Sequence, residues 1–484
     1  MKNLKFLLLM LISIVLFSCN QGNTDVPSDF KTDKVNTVYD LVYGGSGNND
    51  DELVSGMVMD NSGNIYFSMN VTTTDANRNI VYVKINSDGS LAWAKVFDEG
   101  EDKSPDSGEN GETGGTAGSI SIDSDGNIYI VGYSNTSTDG EGLLVLKVNP
   151  ADGSLIWQKK WETEWPTGYP TASQAASGYA IDAHGDYVYV TGECGLNSVV
   201  VLALGKENGD LIFQKSLDIV SGTKDRGYAI CQSGTNLFVG GVDGSTAWFA
   251  KISNATSSSP TLEFVKNAGL SYGARINQIL SDGTNLFFSC DIRGVATKFM
   301  VMKTDIDGGF LWGKSYPGTN DDRNNTHVIY LQGDNIYVGG RIGVTGLSLM
   351  GEALTLKMSK SDGKLEWTKI YYTGKDSEDA AEQRVKGIAV NGNDVTIVGQ
   401  IYPDDGNTQH YYGDFILPKD EPTLNDESVS ISAITSATFE DFSGEVRNAG
   451  GTISDYTAGS LVNSKDKTAT NPPDCDAFII KFQP

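Results

Sequence analysis

Short runs of apolar, β-branched and aromatic residues alternate along the chain with clusters of Gly, Asp, Asn and Ser. That spacing predicts strands joined by tight turns, and almost no stretch carries a helical period. The clearest unit opens with Ser119-Ile120-Ser121-Ile122-Asp123 and continues through Gly126-Asn127-Ile128-Tyr129-Ile130-Val131-Gly132. It then runs through Leu143–Val148 and closes on Asp152-Gly153-Ser154-Leu155-Ile156-Trp157. Each unit holds four predicted strands, a to d.

The unit recurs. Strand b carries an apolar-aromatic pair at Ile65-Tyr66, Ile128-Tyr129, Val188-Tyr189, Leu237-Phe238, Leu286-Phe287 and Ile336-Tyr337, with a degenerate Val395-Thr396. Three residues beyond it stands Gly132, Gly192, Gly241, Gly340 or Gly399, with Met69 and Cys290 as departures. Strand d carries Trp93, Trp157, Phe213, Phe264, Trp312 or Trp367, one copy fewer than a and b. The missing copy precedes the first unit: Val38–Tyr43 reads as a strand d with Tyr39 at the tryptophan position, and the C-terminal Asp476–Phe482 reads as a strand c with nothing after it. Pairing these two ends closes a ring and removes the free edges of an open array. The expected fold is all-β: a seven-bladed β-propeller of four-stranded antiparallel blades, the last blade closed by the N-terminal strand. A count of six or eight would require one weak unit to be miscounted.

The first residues change the picture of where the ring resides. Lys2 and Lys5 precede an apolar stretch from Phe6 to Phe17, too short to span a bilayer. The stretch ends in Leu16-Phe17-Ser18-Cys19, which resembles the lipobox of bacterial lipoproteins. The expected organisation is a signal peptide over 1–18, a lipidated flexible tether over 19–36 anchored by acyl chains (palmitate among them) on Cys19, and the propeller over 37–484. Such a tether spans roughly 20–25 Å. Removing 1–18 deletes two lysines and takes the formal charge from −26 to −28. A surface that acidic excludes nucleic acid and restricts membrane contact to the anchor. Cys194, Cys231, Cys290 and Cys475 are irregularly spaced without a CxxC, so they imply no metal site, and their disulfide state is open.

Residues 119–157 and 53–93 resemble the β-propeller repeat of bacterial secreted and surface proteins known as the SBBP repeat: a small-apolar-Asp turn, Gly-Asn-apolar-Tyr-apolar-x-Gly, apolar-Lys, then Asp-Gly and a Trp. The other units match it in part. The Asp-Gly-x-x-x-Trp endings are similar, more distantly, to quinoprotein-type propellers and to the outer-membrane assembly lipoprotein BamB; the vicinal cysteine pair of a quinoprotein enzyme is missing. The resemblance implies a fold more than an activity.

With alternating strands, the a–b and c–d turns share one face, and they are uniformly short. The b–c and d–a connections share the other and hold nearly every insertion: 98–116, 133–141, 161–176, 317–325, 371–383 and above all 402–476, within the last blade. Binding on rigid scaffolds concentrates on such loops. Trp165, Tyr169, Tyr402, Tyr411 and Tyr412 fall there and are the candidate ligand-binding residues; flat aromatic faces suit sugar rings or a partner's aliphatic side chains. The carboxylates of 98–112 could hold calcium, although an acidic loop in an acidic protein is ordinarily solvated. The insertion's apolar patches predict extra strands or a flap, either a binding element or a lid over the weak seventh blade. Asp123-Ser124-Asp125-Gly126-Asn127 imitates a calcium loop with Gly misplaced, so a hairpin is expected. The strand-c lysines (Lys84, Lys147, Lys251, Lys303, Lys357, Lys481) form one structural position, and His184, His327 and His410 do not converge.

The reading therefore favours a non-enzymatic, monomeric envelope lipoprotein without a cofactor. It would be lipid-anchored in the outer membrane and surface-exposed, with a periplasmic orientation the alternative, and would bind a protein or glycan on its loop-rich face. A carbohydrate-active enzyme using loop carboxylates such as Glu162 and Glu164, or a periplasm-facing outer-membrane assembly scaffold, are the other readings.

Overall fold

A computed structural model of the chain describes residues 30–33, 35–44, 52–72, 78–98, 106–107, 119–136, 140–163, 176–195, 197–244, 246–270, 273–292, 298–316, 325–343, 351–372, 382–402, 414–418, 424–441, 444–447, 452–455, 460–463 and 476–484. The signal segment, Cys19, Cys475 and His410 lie outside these residues.

Seven antiparallel sheets form a seven-bladed β-propeller, and no helix occurs among the described residues. Blade 3 illustrates the pattern, with strands Ala176–His184, Tyr187–Cys194, Ser198–Gly205 and Leu211–Asp218 in the order a-b-c-d. Blade 7 is closed as expected. Its strands a, b and c are Glu382–Asn391, Asp394–Tyr402 and Asp476–Gln483, and its strand d is Asn36–Gly44 from the other end of the chain. Val42 faces Phe478 and Tyr39 faces Lys481 across that seam.

The repeated lysine and tryptophan stitch neighbouring blades together. Lys84 Nζ and Trp93 Nε1 both donate to the Pro150 carbonyl in the next blade's c–d turn, at 2.9 and 3.3 Å. Lys147 and Trp157 do the same to the Lys206 carbonyl, at 2.9 and 3.1 Å. Each lysine also lies over its own blade's strand-b ring, Lys84 over Tyr66 at 5.2 Å and Lys147 over Tyr129 at 5.5 Å. Tyr39 occupies the tryptophan position: Gly89 of the next c–d turn abuts it, as Gly153 abuts Trp93. Lys481 completes the circuit onto the Ser87 carbonyl at 3.1 Å.

Both edges of the blades are satisfied. On the inner edge, side chains of one strand a reach the backbone of the next. Ala183 N donates to Ser121 Oγ, Gln232 N to Asp182 Oδ2 and Ile329 N to Gln278 Oε1, at 3.0, 2.6 and 2.7 Å. On the outer edge lies the insertion. The expectation of extra strands is met, but they are not gathered over blade 7. Seven short segments each add a fifth strand to one blade: Asp414–Pro418 on blade 6, Asn425–Asp426 on 5, Ser432–Ala433 on 4, Thr438–Asp441 on 3, Gly444–Arg447 on 2, Thr452–Asp455 on 1 and Ser460–Asn463 on 7. The insertion is a girdle that circles the ring, pairing with the C-terminal half of every strand d. Phe415 is buried beside Phe482, ring centroids 4.6 Å apart, and Leu424, Val429, Ile431, Ile434 and Phe439 pack into successive seams between blades. Phe30–Thr32 pairs outside Asp414–Pro418, so blade 6 has six strands.

Candidate functional site

Strand a, the inner strand, carries the same irregularity in six blades. Between consecutive register pairs one residue is extra, forming a β-bulge: Ser55, Tyr179, Tyr228, Asn277, His327 and Lys386 in blades 1 and 3 to 7. All six are buried. In blades 3, 4 and 7 the bulge lies against the recurrent strand-b glycine. There the carbonyl two residues before the bulge comes close to strand b, and a Cβ built on Gly192, Gly241 or Gly399 would stand 1.8, 1.8 or 2.0 Å from the oxygen of Ser177, Arg226 or Arg384. In these three blades only glycine leaves room at that approach, whereas blades 1 and 5 carry the bulge with Met69 and Cys290 at the same position.

On the side of the short turns the inner strands enclose about 370 Å³, lined by Val58, Asp182, Gln232, Leu280 and Tyr330, with Tyr228 and Asn277 of the bulge ring at its inner end. That volume lies within the range of small-ligand pockets. Burial raises the carboxyl of Asp182 there.

On the loop-bearing side of the ring the strands bring basic groups together. Tyr179 and Tyr228 pack at 5.2 Å, and the Arg275 guanidinium sits 5.3 Å over Tyr228. Arg275 Nε lies 3.3 Å from Asp291 Oδ2, while Asp291 Oδ1 accepts from Thr326 N at 2.9 Å. Arg226 donates to Tyr228 Oη at 3.2 Å and to Glu193 Oε2 at 3.0 Å. His327 and Lys386 occupy the bulges of blades 6 and 7, with Arg341 on the strand paired to that of His327 and Arg384 two residues before Lys386 on the same strand. Burial holds the His327 imidazole well below its ordinary range, helped by Lys386, Arg384, Arg341 and Arg275. Burial does the same to the Lys386 ammonium, reinforced by Arg384, Arg275 and Arg341 and opposed by Asp291. His327 Nε2 and Asn277 Oδ1 are buried without a hydrogen-bond partner, although such groups are nearly always satisfied.

Two carboxyl sites border this rim. Asp225, buried beside Asp243, is pushed up to about 7, chiefly by burial and then by its neighbour's charge. It accepts from Ile219 N at 2.6 Å and so clasps the turn leading into blade 4. Glu352 is pushed up to about 8 by burial.

The residues singled out from sequence fare differently. Trp165, Tyr169, Tyr411 and Tyr412 lie outside the described residues, as does the side chain of Tyr402. Of the acidic loop, only Asp98 and Asp106–Ser107 are described. Trp161 ends strand d of blade 2, buried with Nε1 donating to Gln214 Oε1 at 2.7 Å. Glu162 is paired with Lys160 at 2.8 Å, and Glu164 lies outside the described residues. Asp123 builds the expected hairpin: its oxygens accept from Asp125 N, Asn127 N, Asn127 Nδ2 and Tyr129 Oη. Among the described residues no group of three or more His, Cys, Asp or Glu could hold a metal ion. Cys194, Cys231 and Cys290 are free and buried; burial raises all three thiols, that of Cys194 to about 12. The bulge-ring basic cluster was not anticipated. The repeated Gly-Tyr-Ala-Ile at 178–181 and 227–230 marks two of its positions.

The fold defines the class: a closed seven-bladed propeller with an intramolecular girdle. No family model and no curated protein matches this chain. Solved structures similar to it include the β-propeller domain of the Trilobed protease from Pyrococcus furiosus (8% identity, TM-score 0.39, 80% of this chain and 98% of that one). A quinohemoprotein alcohol dehydrogenase from Comamonas testosteroni (9%, 0.34, 82% and 77%) and the phage phi92 endosialidase (10%, 0.35, 81% and 70%) are similar at the same level.

Proposed function

We propose that this chain is an envelope-tethered lipoprotein of the SBBP-repeat kind, held by Cys19 in the outer membrane, whose propeller binds a ligand in its central channel and the loops around it. The observation that carries the reading is the preformed channel: about 370 Å³ between stitched inner strands, with the buried Tyr228 and Asn277 of the bulges in its lining. Rigid walls lower the ordering cost of binding. The ligand is a glycan or a protein segment that inserts into the channel.

The test uses the mature chain on glycan and outer-membrane-protein arrays, beside Leu280→Trp, which narrows the channel. The expected result is a binding partner for the wild type that the variant loses at an unchanged thermal midpoint. A partner held equally by both would overturn the channel reading. Cys19→Ser is expected to abolish palmitate incorporation and release the protein from the membrane fraction.

A further inference from the structure

We propose that the channel, entered from the short-turn face, takes an aliphatic ammonium group against Asp182: the side chain of a lysine on a protein segment. The proposal rests on the binding reading above and names the chemistry recognised.

The carboxylate is the first argument. Asp182 is partly exposed and lines the cavity, and among the described residues that do so there is no other Asp and no Glu, Lys or Arg. Its Oδ2 accepts from Gln232 N at 2.6 Å, and among the described residues no lysine or arginine pairs with it. Satisfying that N–H does not call for a charge. The neutral Ser121 does the same for Ala183 N in blade 2, and the neutral Gln278 for Ile329 N in blade 5. Burial disfavours the ionised carboxyl, so a charge kept where a hydroxyl or amide would serve has a use beyond the strand edge. A cation entering the channel supplies the missing counter-charge.

The walls and the mouth select among cations. Val58 and Leu280 stand opposite Tyr66 and Phe287 of their strands b, as Asp182 stands opposite Tyr189, so the three share one level of the channel. Val58 and Leu280 are partly exposed there, and a ligand passing them meets methyl groups. Methylenes suit such walls, whereas the hydroxyls of a sugar would lose their hydrogen bonds to water. Asp182 lies two residues before the end of its strand at His184, about 7 Å from the a–b turn at the usual rise per residue. The four-carbon stem of a lysine covers that depth and brings its ammonium to the carboxylate. At the mouth the a–b turns contribute Asp60, Asp186, Asp282 and Asp334 and contain no lysine or arginine. A rim of one sign draws the opposite charge toward the channel.

Calorimetry on the mature chain tests this with a blocked, glycine-flanked lysine peptide, the same peptide carrying norleucine, and glucosamine as a sugar that bears an amine. The expected result is saturable binding of the lysine peptide, weakening with salt, and none of the norleucine peptide. Asp182→Asn keeps an acceptor for Gln232 N and removes only the charge. It should hold or raise the thermal midpoint while weakening the lysine peptide about tenfold or more, the worth of a hydrogen bond to a charged group. No binding of the lysine peptide, equal binding of the norleucine peptide, or unchanged affinity in Asp182→Asn overturns the proposal. Glucosamine bound more tightly than the peptide also overturns it and assigns the site to an amino sugar. The norleucine comparison uses the unaltered chain and stands even where the variant fails to fold. If Leu280→Trp still loses an array partner after any of these failures, the binding reading survives without the lysine.

Discussion

Substituting Gly241 by alanine tests the link between the repeated strand-b glycine and the bulge ring. The added Cβ would lie 1.8 Å from the Arg226 carbonyl oxygen, 2.9 Å from its carbon and 3.1 Å from Gly227 Cα. All three are backbone atoms, so no rotamer change relieves the clash. Reaching ordinary contact requires a shift of more than about 1 Å, which must reshape the Tyr228 bulge; overpacking of that kind costs about 1–3 kcal/mol and more where backbone is involved. Gly283→Ala is the control: its φ is +92° and a Cβ there meets nothing within 4 Å, so it carries backbone strain alone, on the order of 1 kcal/mol. Urea unfolding of the two variants at fixed temperature gives the comparison. Gly241→Ala should lose about 3 kcal/mol or more, with the Arg226–Tyr228 and Arg275–Tyr228 contacts disturbed. Equal losses in both variants would show that the bulge does not demand the glycine.

Two further outcomes are expected. Glu352 has a folded-state pKa of about 8 against 4.5 for the free group, so the stability it contributes is complete below about pH 4.5 and is lost as pH rises through 8. Glu352→Gln should flatten the pH dependence of unfolding across that interval and exceed the wild type at pH 8; an unaltered slope would refute the assignment. Phe415→Ala removes the aromatic that locks the start of the girdle against Tyr371 and Phe482. Truncating a buried Phe costs about 3–5 kcal/mol, and here the loss should appear first as faster hydrogen exchange along 414–441; uniform acceleration over all blades would show that the girdle is not a separable layer.

The repeat made the ring legible because its signals are local. Alternating apolar residues, Asp-Gly turns and the strand-d aromatics each act within one unit, and Tyr39 announced the closure by occupying a position the other blades had already defined. The strand-c lysines were readable as one position, though their carbonyl partners in the next blade were not. The girdle escaped for the opposite reason. Its segments are two to five residues long, below the length at which a period of two can be recognised, and each exists only because a distant strand d offers an edge. Its one continuous described stretch, 424–441, has inward residues Leu424, Val429, Ile431, Ile434 and Phe439 at uneven spacing, set by the path across seams and not by a strand.

Composition and pattern by themselves determined the four core strands of a blade, the number of blades, the face on which the turns are short, and the meeting of the two ends of the body. The tertiary structure alone decided which side chains converge. Ser55, Tyr179, Tyr228, Asn277, His327 and Lys386 are mixed in chemistry, and only Tyr179 and Tyr228 share a motif; they become a ring because each is the extra residue of a bulge at the same height. A bulge is a property of two paired strands, and the alignment of six of them is a property of the closed ring, so neither is carried by any local stretch of the chain.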